Sequence, residues 1–125
     1  MTKRETIITN YIDGYNQFDI EKMVADFDEH VQFENISNGV TNMSVSGLAL
    51  FIEQAEQAKN YFSSRKQSVK SFLHRDDETE IEIDYQAILE IDFPNGLKSG
   101  DELKLKGKSV FKFLGNKIIK LIDMS

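Results

Sequence analysis

The chain has no cysteine and only two histidines, and these shortages exclude several classes of site. Without cysteine there is no disulfide, thiolate nucleophile or Cys-ligated metal. His30 and His74 are too few and too far apart in sequence for a histidine-based zinc site. The chain also lacks a Gly-rich phosphate loop and a nucleophile elbow around any serine. We therefore expect no metal and no other cofactor.

Clusters of basic residues and long apolar runs are also missing. The net charge is −6, and no basic tract is longer than Lys3-Arg4 or Arg65-Lys66, which argues against nucleic acid as a partner. The first residues contain no apolar run typical of a signal peptide. Residues 35–52 carry no charge but are too rich in Asn, Ser, Thr and Gly to span a bilayer. These features predict a cytoplasmic protein without a membrane partner.

The residues that are present suit a single globular domain over 1–125. The chain is 40% hydrophobic and contains nine phenylalanines, enough for one substantial core but not for two. Phenylalanines in a small domain either fill the interior or line a cavity.

Three helices are predicted from apolar periodicity and capping residues. The first covers residues 4–17, with Thr2 and Glu5 as a capping box, and its apolar stripe consists of Ile7, Ile8, Tyr11, Ile12 and Tyr15. Asp19 caps a short second helix over 20–27, and Ser46 caps a third helix over 47–62.

Strands occupy most of the remaining chain. Alternating side chains predict strands at 31–36, 67–74, 80–93, 101–114 and 117–124, and a short strand is possible at 41–45. The strand 80–93 carries acids on one face and the strand 101–114 carries lysines, so antiparallel pairing places opposite charges side by side. We expect an α+β fold: a cone-shaped barrel made of a strongly curved antiparallel sheet, with three helices packed on its concave face.

Nearly the whole chain resembles the nuclear transport factor 2-like superfamily, which includes SnoaL-like polyketide cyclases and ketosteroid isomerases. The resemblance rests on the order of elements: a first helix followed by FDIEKMVADF, the strand HVQFEN, the Ser46-Gly47 start of the third helix, and the closing strand KIIKLID. It is a resemblance of pattern, and no single motif carries it.

The ketosteroid isomerase pattern implies roles for three residues. Tyr11 matches the helix tyrosine that donates a hydrogen bond to the enolate oxygen. Asn35 stands where that family has its aspartate base, and Ser109 stands where it has a second acid. An amide cannot take a proton from carbon at neutral pH, which argues against isomerase chemistry. The three residues still form a neutral hydrogen-bonding set for a polar group on an apolar ligand.

Asp123 is the acid of most interest in the last strand. Ile119, Leu121 and Asp123 share one face, and the family register points that face into the cavity. A carboxylate there would have its pKa raised by desolvation and could act as a base. Alternatively, Asp123 is an exposed residue close to the end of the chain.

The other candidate residues also have structural interpretations. Tyr11 could be a core tyrosine, Asn35 could bond the backbone of the neighbouring turn, and Ser109 could simply make room for a helix.

The leading hypothesis is a SnoaL-like protein that binds a small apolar or aromatic molecule in the cone. The predicted lining is Phe18, Phe27, Phe33, Phe51, Tyr61, Phe62, Tyr85, Phe111 and Leu121. Any catalysis would be cofactor-free acid–base chemistry of an isomerase, cyclase or hydrolase type, using Tyr11 and Asp123. Whether the protein is an enzyme stays open.

The alternative hypothesis is a non-catalytic interaction or adaptor module that uses the outer face of the sheet. We expect a homodimer, and the resemblance implies that this face supplies the contact. Its apolar residues would be Ile88, Val110, Ile118 and Ile122.

Overall fold

The computed structural model describes all 125 residues, as three α-helices and six strands. The helices are α1 (Lys3–Asn16), α2 (Ile20–Met23) and α3 (Leu48–Ala58), and a 3₁₀ turn (Lys59–Tyr61) follows the last of them. The strands are β1 (Phe27–Ser37), β2 (Val40–Ser46), β3 (Phe62–His74), β4 (Glu78–Leu89), β5 (Glu102–Leu114) and β6 (Lys117–Met124). None of the helices is long and apolar enough to cross a membrane.

The six strands form one strongly curved sheet in the order β2-β1-β6-β5-β4-β3. The predicted α+β class and curved sheet are confirmed, but the sheet is open and not a closed barrel. β1 and β6 run parallel, whereas every other neighbouring pair is antiparallel. The wholly antiparallel sheet expected from the sequence was wrong at this one pairing, which joins strands far apart in the chain.

Helix starts follow the predicted capping residues at two of three places. The Thr2 side chain accepts a hydrogen bond from the Glu5 backbone N–H at 3.1 Å, and the Thr2 N–H donates to the Glu5 carboxylate at 3.4 Å. Asp19 accepts from the Lys22 N–H at 3.0 Å. The third prediction was wrong, since the N-cap of α3 is Gly47 with φ +95° and no side-chain cap. A positive φ of this size favours glycine, which has no Cβ to clash.

Two helix ends also differ from the prediction. α2 ends at Met23, and Phe27, predicted as its last residue, instead begins β1 and pairs with Ile118 of β6. α3 ends at Ala58, and Phe62 already belongs to β3.

α1 and α2 pack closely at Gly14. A Cβ atom placed on Gly14 would lie 2.7 Å from the Met23 backbone nitrogen and 3.1 Å from the Asp19 carbonyl oxygen. Glycine at position 14 lowers the stability of the helix itself, but it allows this close approach between the two helices.

The charged faces of β4 and β5 pair as predicted. Asp84 lies opposite Lys106 and Glu82 opposite Lys108, and the Asp84 carboxylate is 3.5 Å from the Lys106 Nζ. Such exposed ion pairs contribute little stability, but they favour this register over a shifted one.

Phenylalanine rings fill the interior between the helices and the sheet. The Tyr11 ring stacks on Phe27 with centroids 5.6 Å apart and meets the edge of Phe111 at 5.5 Å. Phe51 tilts against Phe27 at 5.0 Å. The core cluster consists of Ile7, Ile8, Tyr11, Ile12, Ile20, Met23, Phe27, Val31, Phe51, Ala55, Ile81, Phe111, Phe113, Ile118 and Leu121.

Two predictions about the face of an isoleucine in β6 were wrong. Ile118 was expected on the outer face, but it is 1% exposed and belongs to the core, while the neighbouring Ile119, expected to face inward, lies outside the core cluster. The cause is an irregularity in the β5–β6 pairing. Lys112 pairs with Lys120 but Phe113 pairs with Ile118, so Ile119 is an extra residue in β6 and Ile118 points to the core face.

Candidate functional site

A cleft of about 140 Å³ lies on the helix-covered face of the sheet, beside the packed core. Its polar lining comes from six elements, α1 and every strand but β2, together with the last residue of the chain: Tyr15, Asn35, Gln67, Tyr85, Lys106, Lys108, Ser109, Asp123 and Ser125. Ile83 and Leu105 supply an apolar edge, and Leu105 is half exposed. A few polar groups set against apolar walls are typical of small-molecule sites.

A larger depression of about 510 Å³ adjoins this cleft and shares six lining residues with it: Ile83, Lys106, Gly107, Lys108, Met124 and Ser125. Most of its lining is charged, and Asp84 pairs there with Lys70 and with Lys106, each at 3.5 Å. We interpret it as a solvated charged surface, because its charges satisfy one another at the sheet surface. The smaller cleft, which holds half-buried polar groups, is the better site.

Asp123 provides a carboxylate in this cleft. β5 and β6 place Ser109 and Asp123 opposite each other, and the Ser109 hydroxyl donates to Asp123 Oδ1 at 2.7 Å. On the other side, the parallel β1–β6 pairing sets Asn35 beside Asp123. Burial raises the pKa of Asp123 from 3.8 to about 6, although the Ser109 hydrogen bond opposes part of that rise. The carboxyl is therefore mostly ionised at neutral pH and basic enough to accept a proton.

Two tyrosine hydroxyls form the opposite side of the cleft. The Tyr15 and Tyr85 hydroxyl oxygens lie 2.9 Å apart in a hydrogen bond. Burial is the largest cause that raises the pKa of both phenols above the usual value. Both hydroxyls therefore stay protonated at neutral pH. Since only one proton lies between the two oxygens, the other is free to donate to a ligand.

β3 adds two buried polar residues next to these tyrosines. Arg65 is 5% exposed, and its guanidinium carbon lies 3.8 Å from the centre of the Tyr15 ring and 4.5 Å from that of Phe18. Its Nε donates to the Tyr15 carbonyl oxygen at 2.8 Å. Gln67 is 7% exposed and lines the cleft. One terminal nitrogen of Arg65 and the side-chain oxygen of Gln67 are buried without a hydrogen-bond partner.

The structure brings four of the predicted site residues together at the cleft: Asn35, Tyr85, Ser109 and Asp123. Asn35 also donates from its side-chain nitrogen to the Asn42 side-chain oxygen of β2, at 2.9 Å. This bond differs from the alternative interpretation, which expected a bond to the backbone of the neighbouring turn, because the partner is a side chain within β2. The same residue therefore bonds β2 and lines the cleft.

Other predicted ligand contacts lie in the filled core and away from the cleft. These are Tyr11, Phe27, Phe51, Phe111 and Leu121, each at most 5% exposed. Burial raises the pKa of the Tyr11 phenol well above its usual value, and the nearby negative charge of Asp123 raises it further. Contact of these five residues with a ligand stays a prediction.

The remaining predicted lining residues are half-buried aromatics near the cleft. Phe33 meets the edge of the Phe51 ring at 5.5 Å, and Phe62 meets Tyr85 at 6.4 Å. Tyr61 contacts Phe62 at 6.4 Å. Phe18 lies under the Arg65 guanidinium, at a φ of +57°. Their role as ligand contacts likewise stays a prediction.

Sequence reasoning missed Tyr15, Arg65 and Gln67 as site residues. Tyr15 was interpreted as packing, and the strand containing Gln67 was expected to start at that residue and not at Phe62. The available signal was alternation: Arg65, Gln67 and Val69 share one face of β3, with two polar residues where a core strand would carry apolar ones.

Neither histidine contributes to the cleft. His74 bonds the Glu5 carboxylate at 2.6 Å and the Thr79 hydroxyl at 2.9 Å, which joins α1 to the β3–β4 turn. His30 is exposed in β1. The structure contains no group of three or more His, Cys, Asp or Glu side chains that could hold a metal ion.

No protein-family model matches the sequence, and no curated protein matches it. Solved structures do match the fold. One is a candidate SnoaL-like polyketide cyclase from Jannaschia sp. CCS1, with 10% identity and a TM-score of 0.82 over 97% of this chain and 83% of that protein. Another is an NTF2-like protein of unknown function from Burkholderia pseudomallei K96243, with 12% identity and a TM-score of 0.79 over 98% and 90% of the two chains. A third is TerC, co-crystallized with polyporic acid, with 13% identity and a TM-score of 0.78 over 98% and 90%.

Proposed function

Because the chain has the fold of the NTF2-like and SnoaL-like proteins, we propose that it binds a small apolar or aromatic molecule in the cleft beside Asp123. We further propose that Asp123 acts as the base in a cofactor-free proton transfer. Tyr15 and Tyr85 take the donor role that the family resemblance had implied for Tyr11, since their hydroxyls line the cleft and Tyr11 packs in the core.

The state of the Asp123 carboxylate is the observation that carries this proposal. It is half-buried, it accepts one hydrogen bond from Ser109, and its raised pKa of about 6 brings it near neutral pH. General bases are most effective when their pKa lies near the working pH. A carboxylate in this state within a small cleft is a typical candidate for catalysis.

The apolar part of the ligand would lie along Ile83 and the half-exposed Leu105. A volume of about 140 Å³ suits one ring, and a larger molecule would extend past Leu105 into solvent. TerC, a protein of similar fold, was co-crystallized with a small organic acid, polyporic acid.

A carbon-acid exchange assay tests the proposed base. 2-Tetralone, a small aromatic ketone with acidic C–H bonds, is incubated with the protein in D₂O, and the loss of its proton signals is followed by NMR. We expect exchange faster than in buffer, with a rate that rises through about pH 6 as Asp123 ionises. Asp123→Asn should lower the protein-dependent rate by about 100-fold, which is the usual contribution of a general base.

Glu82→Gln is the matched control, since Glu82 is exposed on β4 and lies outside the cleft. It should leave the exchange rate unchanged. An Asp123→Asn protein that exchanges 2-tetralone as fast as the original would refute the role of the base. Amide chemical shifts at Leu105 and Ser109 that do not respond to the ketone would refute binding in the cleft.

The alternative, an interaction module using the outer sheet face, gains no specific support from the side chains. Of the four residues predicted for its apolar patch, Ile118 lies in the core and Val110 is 7% exposed. Ile122 is half-buried, and Ile88 is 40% exposed. Lysines and acids surround them, so this face lacks the apolar centre of a stable interface.

A further inference from the structure

A buried cation without an acidic partner lies behind the cleft. Arg65 is 5% exposed, forms no salt bridge, and keeps one terminal nitrogen without a hydrogen-bond partner. Buried charges in proteins are normally paired, because leaving water is costly for an ion. Two aromatic rings and a single carbonyl oxygen hold this guanidinium instead.

Arg65 is connected to the cleft through Tyr15. Its guanidinium lies against the Tyr15 ring at 3.8 Å and bonds the Tyr15 carbonyl oxygen at 2.8 Å. A cation over a phenol ring withdraws electron density and makes the hydroxyl a stronger donor. That hydroxyl bonds the Tyr85 hydroxyl, and both tyrosines line the cleft.

Arg65 and Asp123 give the cleft two electrostatically different ends. Burial is the main influence on the pKa of Tyr15 and of Tyr85, but at both phenols the lowering by Arg65 exceeds the raising by Asp123. At Tyr11 the order is reversed. Arg65 therefore offsets the repulsion that Asp123 exerts on a negative oxygen at the Tyr15–Tyr85 side, although burial keeps both phenols themselves protonated.

We propose that the Tyr15–Tyr85 hydroxyl pair binds the anionic oxygen of an aromatic acid, with buried Arg65 as its counter-charge. This inference rests on the proposed function for the place where the ring binds, and it adds the chemical class of the ligand. Both hydroxyls donate to the anion once they give up their mutual hydrogen bond. Gln67, next to them with an unpartnered amide oxygen, offers a further polar contact.

Benzoate and benzamide test this inference, because they have the same shape and differ in charge. Each is titrated into the protein at about pH 5, where the Asp123 carboxyl is mostly protonated, and binding is followed by amide chemical shifts at Leu105 and Ser109. We expect benzoate to bind at least about tenfold more tightly, as hydrogen bonds to an anion exceed those to a neutral group.

Tyr85→Phe should remove about tenfold of the benzoate affinity and change the benzamide affinity less than about twofold. Arg65→Met should have the same selective effect, and if that variant does not fold, Tyr85→Phe carries the test alone. Ser71→Ala, which removes an exposed hydroxyl on β3 outside the cleft lining, is the control and should change neither affinity.

The possible failures are distinguishable. Equal affinities for benzoate and benzamide would overturn the anion subsite while leaving the cleft as a binding site for aromatic molecules. A Tyr85→Phe protein that loses both ligands equally would overturn it too. If neither ligand shifts the cleft amides, the proposed function fails together with the subsite.

Discussion

Replacing Asp123 with asparagine should stabilise the protein at neutral pH, although it removes a charge that accepts a hydrogen bond. Burial raises the pKa of Asp123 from 3.8 to about 6 in the folded protein. The unfolded chain therefore loses this proton first, and the free energy of unfolding falls as the pH rises from about 4 to about 6. Above about pH 6 the free energy of unfolding is lower by about 3 kcal/mol than at low pH, from this group alone. Asparagine has no charge to desolvate, and its side-chain oxygen can still accept from Ser109.

Urea unfolding followed by circular dichroism at a series of pH values measures this effect. The difference in unfolding free energy between Asp123→Asn and the original protein should be small at about pH 4 and reach up to about 3 kcal/mol at about pH 7. Glu53→Gln, which alters a carboxylate exposed on α3, should show no such rise. A difference for Asp123→Asn that stays constant across this range would show that the carboxylate is well solvated, and our assignment of the base would then fail.

Three further substitutions test helix packing, helix capping and the core, each by urea unfolding. Gly14→Ala should destabilise the protein by about 1–3 kcal/mol, since the new Cβ meets the Met23 backbone nitrogen at 2.7 Å; any stabilisation, the usual result inside a helix, would contradict the close packing. Thr2→Ala should cost about 1 kcal/mol through loss of its bond to the Glu5 N–H, and an unchanged midpoint would show a frayed helix end. Phe111→Ala should cost about 3–5 kcal/mol, because the ring is fully buried, and a loss below 1 kcal/mol would indicate a loosely filled core.

Local signals in the sequence predicted much of the fold. The capping box at Thr2 and the cap at Asp19 depend on residues three positions apart, so they are visible in the chain itself. The opposite charges of β4 and β5 likewise predicted their pairing, although twelve residues (90–101) separate the two strands in the structure. The end of α2 was not predictable in this way, since it depends on Phe27 pairing with Ile118 at the far end of the chain.

Site residues at positions that match the family pattern were predictable from the sequence. Residues whose orientation depends on strand bounds and local strand register were not. The family resemblance placed Asp123 and Ser109 at the pocket, and their hydrogen bond brings the two predictions together. Arg65 was missed because it falls before the predicted start of its strand, and a polar residue in an unassigned connection gives no sign of burial. The irregular pairing near Lys112 had the same effect on Ile118, since a bulge reverses side-chain faces without a clear mark in the sequence.

The hydrogen bond between Asn35 and Asn42 links the chemistry of the cleft to the outermost strand of the sheet. β2 has only one neighbour, β1, and contains no charged residue. Asn35 of β1 is bonded to β2 on one side and lies beside Asp123 on the other. If this edge opens, Asn35 loses its partner in β2, and the amide beside Asp123 becomes free to turn towards the carboxyl or a ligand. Amide hydrogen exchange along Val40–Ser46 measures how often the edge opens.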